Sequence, residues 1–248
     1  MRSGLFSVLL VTVFSVVRGQ DTYSVRNIHA HNDYEVNVPF TQAYDLGIGS
    51  IEADVILRND TLYVAHDVRD IANRRLYFET HYIRPLDAAV RNGKSRDLVL
   101  LIDLKTEAKA TLEKVVSIIG KYPALTSDTT IRFVITGNHP PTGTFDSYPR
   151  WILFDGRINN TAHFKHLDRI GLFSNSFRDF SRWNGNGEMS ADERKKIQDA
   201  VEKVHAAGKK VRFWAAPDGA HAWRVLMDLK IDYINTDRIE ELAAFMKR

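Results

Sequence analysis

Leu98-Val99-Leu100-Leu101-Ile102-Asp103-Leu104-Lys105 is a short apolar run that ends in an acid and a base. Runs of this length, bounded by polar segments and followed by helical periodicity, read as strands of a parallel sheet. Seven more follow the same pattern, at 27–31, 50–56, 130–136, 151–155, 171–175, 210–215 and 231–235. A further short run at 62–66 should pair beside the second strand through a turn at Asn59-Asp60. Eight strands with helices between them make the fold class α/β, a TIM-type (β/α)8 barrel in a single domain. The chain length of 248 residues suits that architecture.

The helices carry their own signals. Ser190-Ala191-Asp192-Glu193 is a capping box, and Ile197, Ala200, Val201 and Val204 then share one face before Gly208. Leu112, Val115, Val116 and Ile119 define a helix over 107–119, and another closes the chain over 239–246. The segment 159–166 has the weakest helical pattern. An open doubly wound sheet is the competing fold, but no glycine-rich phosphate loop follows the first strand.

Composition narrows the function. There are no cysteines, which excludes disulfides, zinc–thiolate sites and cysteine nucleophiles. The formal net charge is +3 and falls close to zero if the N-terminal segment is removed, so no nucleic-acid-binding surface is expected. That segment reads as a secretory signal over 1–19: Arg2, an apolar stretch over 5–17, and small residues before Gln20. The mature domain is then 20–248, exported to the periplasm or outside the cell, without an integral membrane segment and expected as a monomer.

In a barrel of this kind the active site forms at the C-terminal strand ends. The first strand yields His29 and His31, the second Glu52 and Asp54, the neighbouring short run His66, and the third Asp103 and Lys105. Glu52 and Asp54 are two apart on a strand and so share a face. Carboxylates set in apolar runs are costly to bury unless a cation compensates them. An all-oxygen set of Glu52, Asp54 and Asp103 suits one divalent ion, Mg²⁺ or Ca²⁺, better than Zn²⁺. Lys105 is placed to contact a phosphate or to neutralise Asp103. Glu52 has no arginine on its own strand to serve as an ion-pair partner.

Ile28-His29-Ala30-His31-Asn32-Asp33, Ile51-Glu52-Ala53-Asp54-Val55, Val64-Ala65-His66-Asp67 and Ile102-Asp103-Leu104-Lys105 together resemble the glycerophosphodiester phosphodiesterase and phosphatidylinositol phospholipase C-like superfamily. Val211-Arg212-Phe213-Trp214 and Ile234-Asn235-Thr236-Asp237 are similar to its later strands. The His-Asn-Asp-Tyr form looks most like the altered-inheritance-of-mitochondria branch, with a relation to spider-toxin phospholipase D. The resemblance implies His31 and His66 as the catalytic acid–base pair and Glu52, Asp54 and Asp103 as metal ligands. It further implies Lys105 and Trp214 as substrate contacts, and His29 and Asn32 are added as candidates. The implied substrate is a small-molecule or lipid phosphodiester. Attack comes either from water, giving hydrolysis, or from a substrate hydroxyl, giving a cyclic phosphate.

Three other functions compete. A metal-dependent amidohydrolase or a polymerase-and-histidinol-phosphatase-type phosphoesterase would also use His29-Ala30-His31, with His139 as a further ligand. A non-catalytic secreted binding module would be expected to have lost some of the five catalytic positions. A metal-independent phospholipase C would replace the cation with arginine.

Overall fold

The computed structural model describes residues 23–247. The expected secretory signal lies outside them. Ten strands run in chain order: β1 (Ile28–Ala30), β2 (Ser50–Arg58), β3 (Thr61–Val64), β4 (Leu76–Tyr77), β5 (Leu98–Leu104), β6 (Ile131–Gly137), β7 (Ile152–Gly156), β8 (Ile170–Ser176), β9 (Val211–Trp214) and β10 (Ile234–Thr236). Eight of them form one parallel sheet in the order β10-β1-β2-β5-β6-β7-β8-β9. Its two ends meet at a bridge between Arg212 and Tyr233, where the Tyr233 amide donates to Val211 O at 3.2 Å. This is the TIM-type α/β architecture the sequence implies. The strands β3 and β4 form an antiparallel excursion off β2, the second of them too short to be visible in the sequence.

Alternation along each strand separates two cores. Leu98, Leu100, Ile102 and Leu104 face outward into a large cluster with the helices, while Val99 and Leu101 face inward. Inside the barrel, Val99, Leu101, Val134, Leu172 and Tyr233 form a separate apolar plug, with Leu153 packed against it. The inward face of β5 continues Val99, Leu101, Asp103, and that of β2 runs Ser50, Glu52, Asp54. The barrel is therefore apolar near its floor and polar near its mouth, as the strand ends require.

The outer helices follow their capping signals. Ser190 caps Ala191–Ala206, and Gly208 adopts a φ of +68° just beyond its end. Glu107 caps Ala108–Ile119 by accepting from the Lys109 and Ala110 amides. The helix at 159–166 does not form. Two single 3₁₀ turns, His163–Lys165 and Leu167–Arg169, take its place. The Asn160 side chain accepts from the Ala162 amide at 3.0 Å, a local bond that competes with helical pairing.

Candidate active site at the barrel mouth

The end of β1 turns sharply. Asn32 takes a left-handed conformation (φ 48°), which asparagine tolerates better than most residues. The turn lifts His31 into the mouth, where its Nδ1 lies 2.7 Å from Asp237 Oδ1 beyond β10. Burial opposes the imidazolium, but the hydrogen bond to Asp237 and the charge of Glu52 outweigh it, so the His31 pKa is raised. The Tyr34 hydroxyl lies 2.8 Å from both Asn32 Oδ1 and Asp54 Oδ2 and so links the turn to β2.

Glu52, Asp54 and Asp103 converge. One oxygen from each lies within 4.8 Å of the others, and Asp54 pairs directly with Asp103 across the β2–β5 ladder. Asp54 Oδ2 is crowded, with Tyr34 Oη, His66 Nδ1 at 3.0 Å and Lys105 Nζ at 3.0 Å around it. Its other oxygen, Oδ1, is buried without any partner. Lys105 Nζ also reaches Asp103 Oδ2 at 2.9 Å, so the two acids share one cation, which lines the cavity. Burial pushes the Asp54 carboxyl up to about 6, and the charges of Glu52 and Asp103 add to that. Such a group is short of positive charge.

The region next to Asp103 is shaped to keep it in place. Gly137 ends β6 with a φ of +71°, and a Cβ there would sit 1.9 Å from Asp103 Oδ1. Only glycine leaves that oxygen its position.

Glu52 differs from Asp54. Arg212, one strand beyond β10, sends Nη1 to within 2.6 Å of Glu52 Oε2, and His29 Nε2 lies 2.7 Å from the same oxygen. Burial pushes Glu52 up, but the Arg212 guanidinium and the His29 bond override it and hold the carboxyl well below the usual range. The ion-pair partner of Glu52 thus arrives from β9, whereas Arg58, to which β2 extends, is exposed at the strand's far end. An arginine flanked by Val211 and Phe213 inside a strand was its only sequence signal.

His29 is not a substrate contact. It is fully buried, with Nδ1 2.7 Å from Ser50 Oγ and Nε2 turned to Glu52 and Arg212. Burial and Arg212 lower its pKa to about 4, so it is a neutral imidazole that supports Glu52 from below. The expectation that it binds substrate is corrected by that position. His31, Asn32, Glu52, His66, Asp103, Lys105 and Trp214 all line one cavity of about 330 Å³. Trp214 is 40% exposed there and does not serve as barrel packing. Two further residues on its wall, Arg157 and Arg212, went unassigned in the sequence, as did the Asp237 partner of His31.

Several neighbours of the motifs do other work. Asp33 accepts from the Phe40 amide and the Tyr82 hydroxyl, and Asp67 caps a 3₁₀ turn and pairs with Arg69, so neither orients a histidine. Asn175 and Asn138 bond to loop backbone at Ile158 N and Thr106 O. His139 packs on Phe145 and Phe154. A larger groove of about 470 Å³, bounded by Glu107, Val116, Pro140 and Tyr148, shares no lining residue with this cavity.

With this geometry in place, the likeness to known proteins is specific. Residues 20–95 match the family model described as an AIM6-like phosphodiesterase domain. The altered inheritance of mitochondria protein 6 of Kluyveromyces lactis is 26% identical, over 91% of this chain and 73% of that protein. A homologue from Arthroderma benhamiae is 24% identical, over 88% of this chain and 83% of its own. A glycerophosphodiester phosphodiesterase structure from Parabacteroides distasonis superposes with a TM-score of 0.58 at 14% identity, covering 89% of this chain and 95% of that one. One from Agrobacterium tumefaciens gives 0.52 at 15%, covering 89% and 96%. The chain has the fold of the glycerophosphodiester phosphodiesterases and resembles the AIM6-like branch.

The Glu52–Arg212 pair yields a stability prediction. Removing one partner of a buried pair strands the other's charge, at a cost of about 3–5 kcal/mol. Arg212→Leu should show that loss in urea unfolding, and the double variant with Glu52→Gln should recover most of it. If Arg212→Leu unfolds like the wild type, the pair carries no structural weight.

Proposed function

We propose that the protein is an exported, metal-dependent phosphodiesterase that cleaves glycerophosphodiester or phospholipid-type P–O bonds. The observation that carries this is one cavity lined by His31, His66, Lys105, Glu52 and Asp103, with Asp54 converging on the two acids and bonded to His66.

The residues fit a divalent cation. Asp54 Oδ1 is a buried carboxylate oxygen without a partner, and the donor set is all oxygen, which favours Mg²⁺ or Ca²⁺. Glu52, Asp54 and Asp103 would hold the ion, which when bound supplies charge and Lewis acidity toward a phosphoryl oxygen. Two fixed cations, Lys105 and Arg212, face the three carboxylates, so the cluster retains negative charge for an ion to offset.

The chain's own groups do the rest. Lys105 binds a non-bridging phosphate oxygen and offsets charge as it builds in the transition state. One imidazole takes a proton from the nucleophile and the other gives one to the leaving alcohol. Asp237 holds Nδ1 of His31 and Asp54 holds Nδ1 of His66, which leaves Nε2 of each ring for the reaction. Trp214 offers an apolar wall to the part of the substrate beyond the phosphate. The amidohydrolase reading loses ground, because His29 is enclosed behind Glu52 and the metal-capable group among the described residues contains no histidine.

The proposal is tested with bis(p-nitrophenyl) phosphate, glycerophosphodiesters and lysophospholipids, with Mg²⁺, Ca²⁺, Mn²⁺, Zn²⁺ or EDTA. Activity should require a cation. His31→Ala and His66→Ala should each lose about 10²–10⁴-fold in kcat. Full activity in EDTA, or in either histidine variant, would overturn the assignment.

The pH profile offers a separate check. Asp237 helps raise the His31 pKa, so Asp237→Asn lowers it. The limb of the rate profile that His31 sets should then move to lower pH. An unmoved profile would show that His31 does not titrate in the reaction.

A further inference from the structure

Two acid–x–base units end strands of the barrel wall. Ile102-Asp103-Leu104-Lys105 closes β5, and Phe154-Asp155-Gly156-Arg157 closes β7. In each, the base reaches back to the acid two residues earlier: Lys105 Nζ lies 2.9 Å from Asp103 Oδ2, and Arg157 Nη1 lies 2.5 Å from Asp155 Oδ2. Asp103 pairs with Thr136 on β6, whose hydroxyl donates to Asp155 Oδ2 at 2.8 Å. The two acids therefore share one level of the barrel and the two bases share the next. Two strand spacings separate Lys105 from Arg157, roughly 10 Å at the backbone. Both bases line the cavity that contains His31 and His66.

The two units are not equivalent. Asp103 belongs to the metal-capable group, whereas Asp155 does not. Asp155 is fully buried, and its Oδ1 has no partner. Its role is to hold Arg157. Arg157 Nη1 also donates to Ser174 O at 3.1 Å and Nη2 to Thr136 Oγ1 at 3.3 Å, and its amide donates to His163 Nδ1 at 2.8 Å. Among the described residues its Nε makes no hydrogen bond, and its side chain, which lines the cavity, is 33% exposed. A guanidinium fixed along one side with a free N–H edge is preorganised for bidentate contact with an anion. In the phosphodiesterase reading the scissile phosphate would be met by Lys105 on β5, next to the carboxylates that would hold an ion. Arg157 stands two strands away, held by Asp155, and is placed to meet an anion on another part of the same substrate.

We propose that Arg157 forms a second anion subsite, which takes a carboxylate or phosphomonoester carried by the substrate's head group. This rests on the phosphodiesterase reading of the cavity and narrows it to diesters that bear a second negative group. Arg157 is then a specificity residue: it sets which diester binds.

Calorimetry with matched pairs tests the subsite without turnover. O-phosphoserine and phosphoethanolamine differ by one carboxylate; 1,3-bisphosphoglycerol and glycerol 3-phosphate differ by one phosphomonoester. The more anionic member of at least one pair should bind the wild type tenfold or more tighter, and which pair shows it identifies the group. Arg157→Gln should abolish the difference and leave the affinity for the simpler member within about twofold. Should that variant misfold around the stranded Asp155, the double variant Asp155→Asn/Arg157→Gln removes the buried charge and carries the same test. Equal affinities in the wild type, or a difference that survives the substitution, would overturn the subsite. Equal weakening of both members would place Arg157 on the scissile phosphate and overturn it too. Discrimination in binding without cleavage of any diester would sink the phosphodiesterase reading and leave the subsite standing. Cleavage without discrimination would do the reverse.

Discussion

Three carboxylates brought together in a protein mouth set the terms for everything around them. Glu52 and Asp54 are almost wholly buried, and Asp103 stands beside them on the next strand. Ionised acids in such a position repel one another and lose water, so the fold must answer them with positive charge. It does so unevenly. Arg212 and His29 close on Glu52, whereas Asp54 and Asp103 share one Lys105. The result is one acid held firmly ionised and another pushed toward neutrality, with one of its oxygens left bare.

The barrel explains how this can be stable. Its floor is an apolar plug from Val99, Leu101, Val134, Leu172 and Tyr233, and polar groups appear only at higher levels of the same inward faces. A side-chain period of two makes that division automatic, since residues 99, 101 and 103 of β5 face the same way. The mouth can then hold a high density of charge without interrupting the outer core that binds strands to helices.

Local patterns were legible in the sequence and distant pairings were not. The strand over 98–104 has the same limits in sequence and structure, and the Ser190 cap stands where its chemistry put it, while the helix expected from 107 starts at Ala108 with Glu107 as its cap. The convergence of Glu52, Asp54 and Asp103 followed from strand alternation and order. Two polar partners escaped because each joins residues far apart in the chain: Arg212 to Glu52 and Asp237 to His31. For His29 the sequence left two roles open, substrate contact or support beneath His31, and its full burial against Glu52 selects the second. The missing helix at 159–166 reflects the Asn160 side chain, whose local bond outcompetes a weak apolar pattern.

The central claim is that the three carboxylates form a single cation site at the barrel mouth. Crystals grown with Mn²⁺ would test it most directly through the anomalous scattering of the metal. The account predicts one strong peak in direct contact with oxygens of Glu52, Asp54 and Asp103, absent from Asp54→Asn crystals grown in the same way. No peak there at saturating Mn²⁺, or a peak held by His29 and His31 instead, would contradict it.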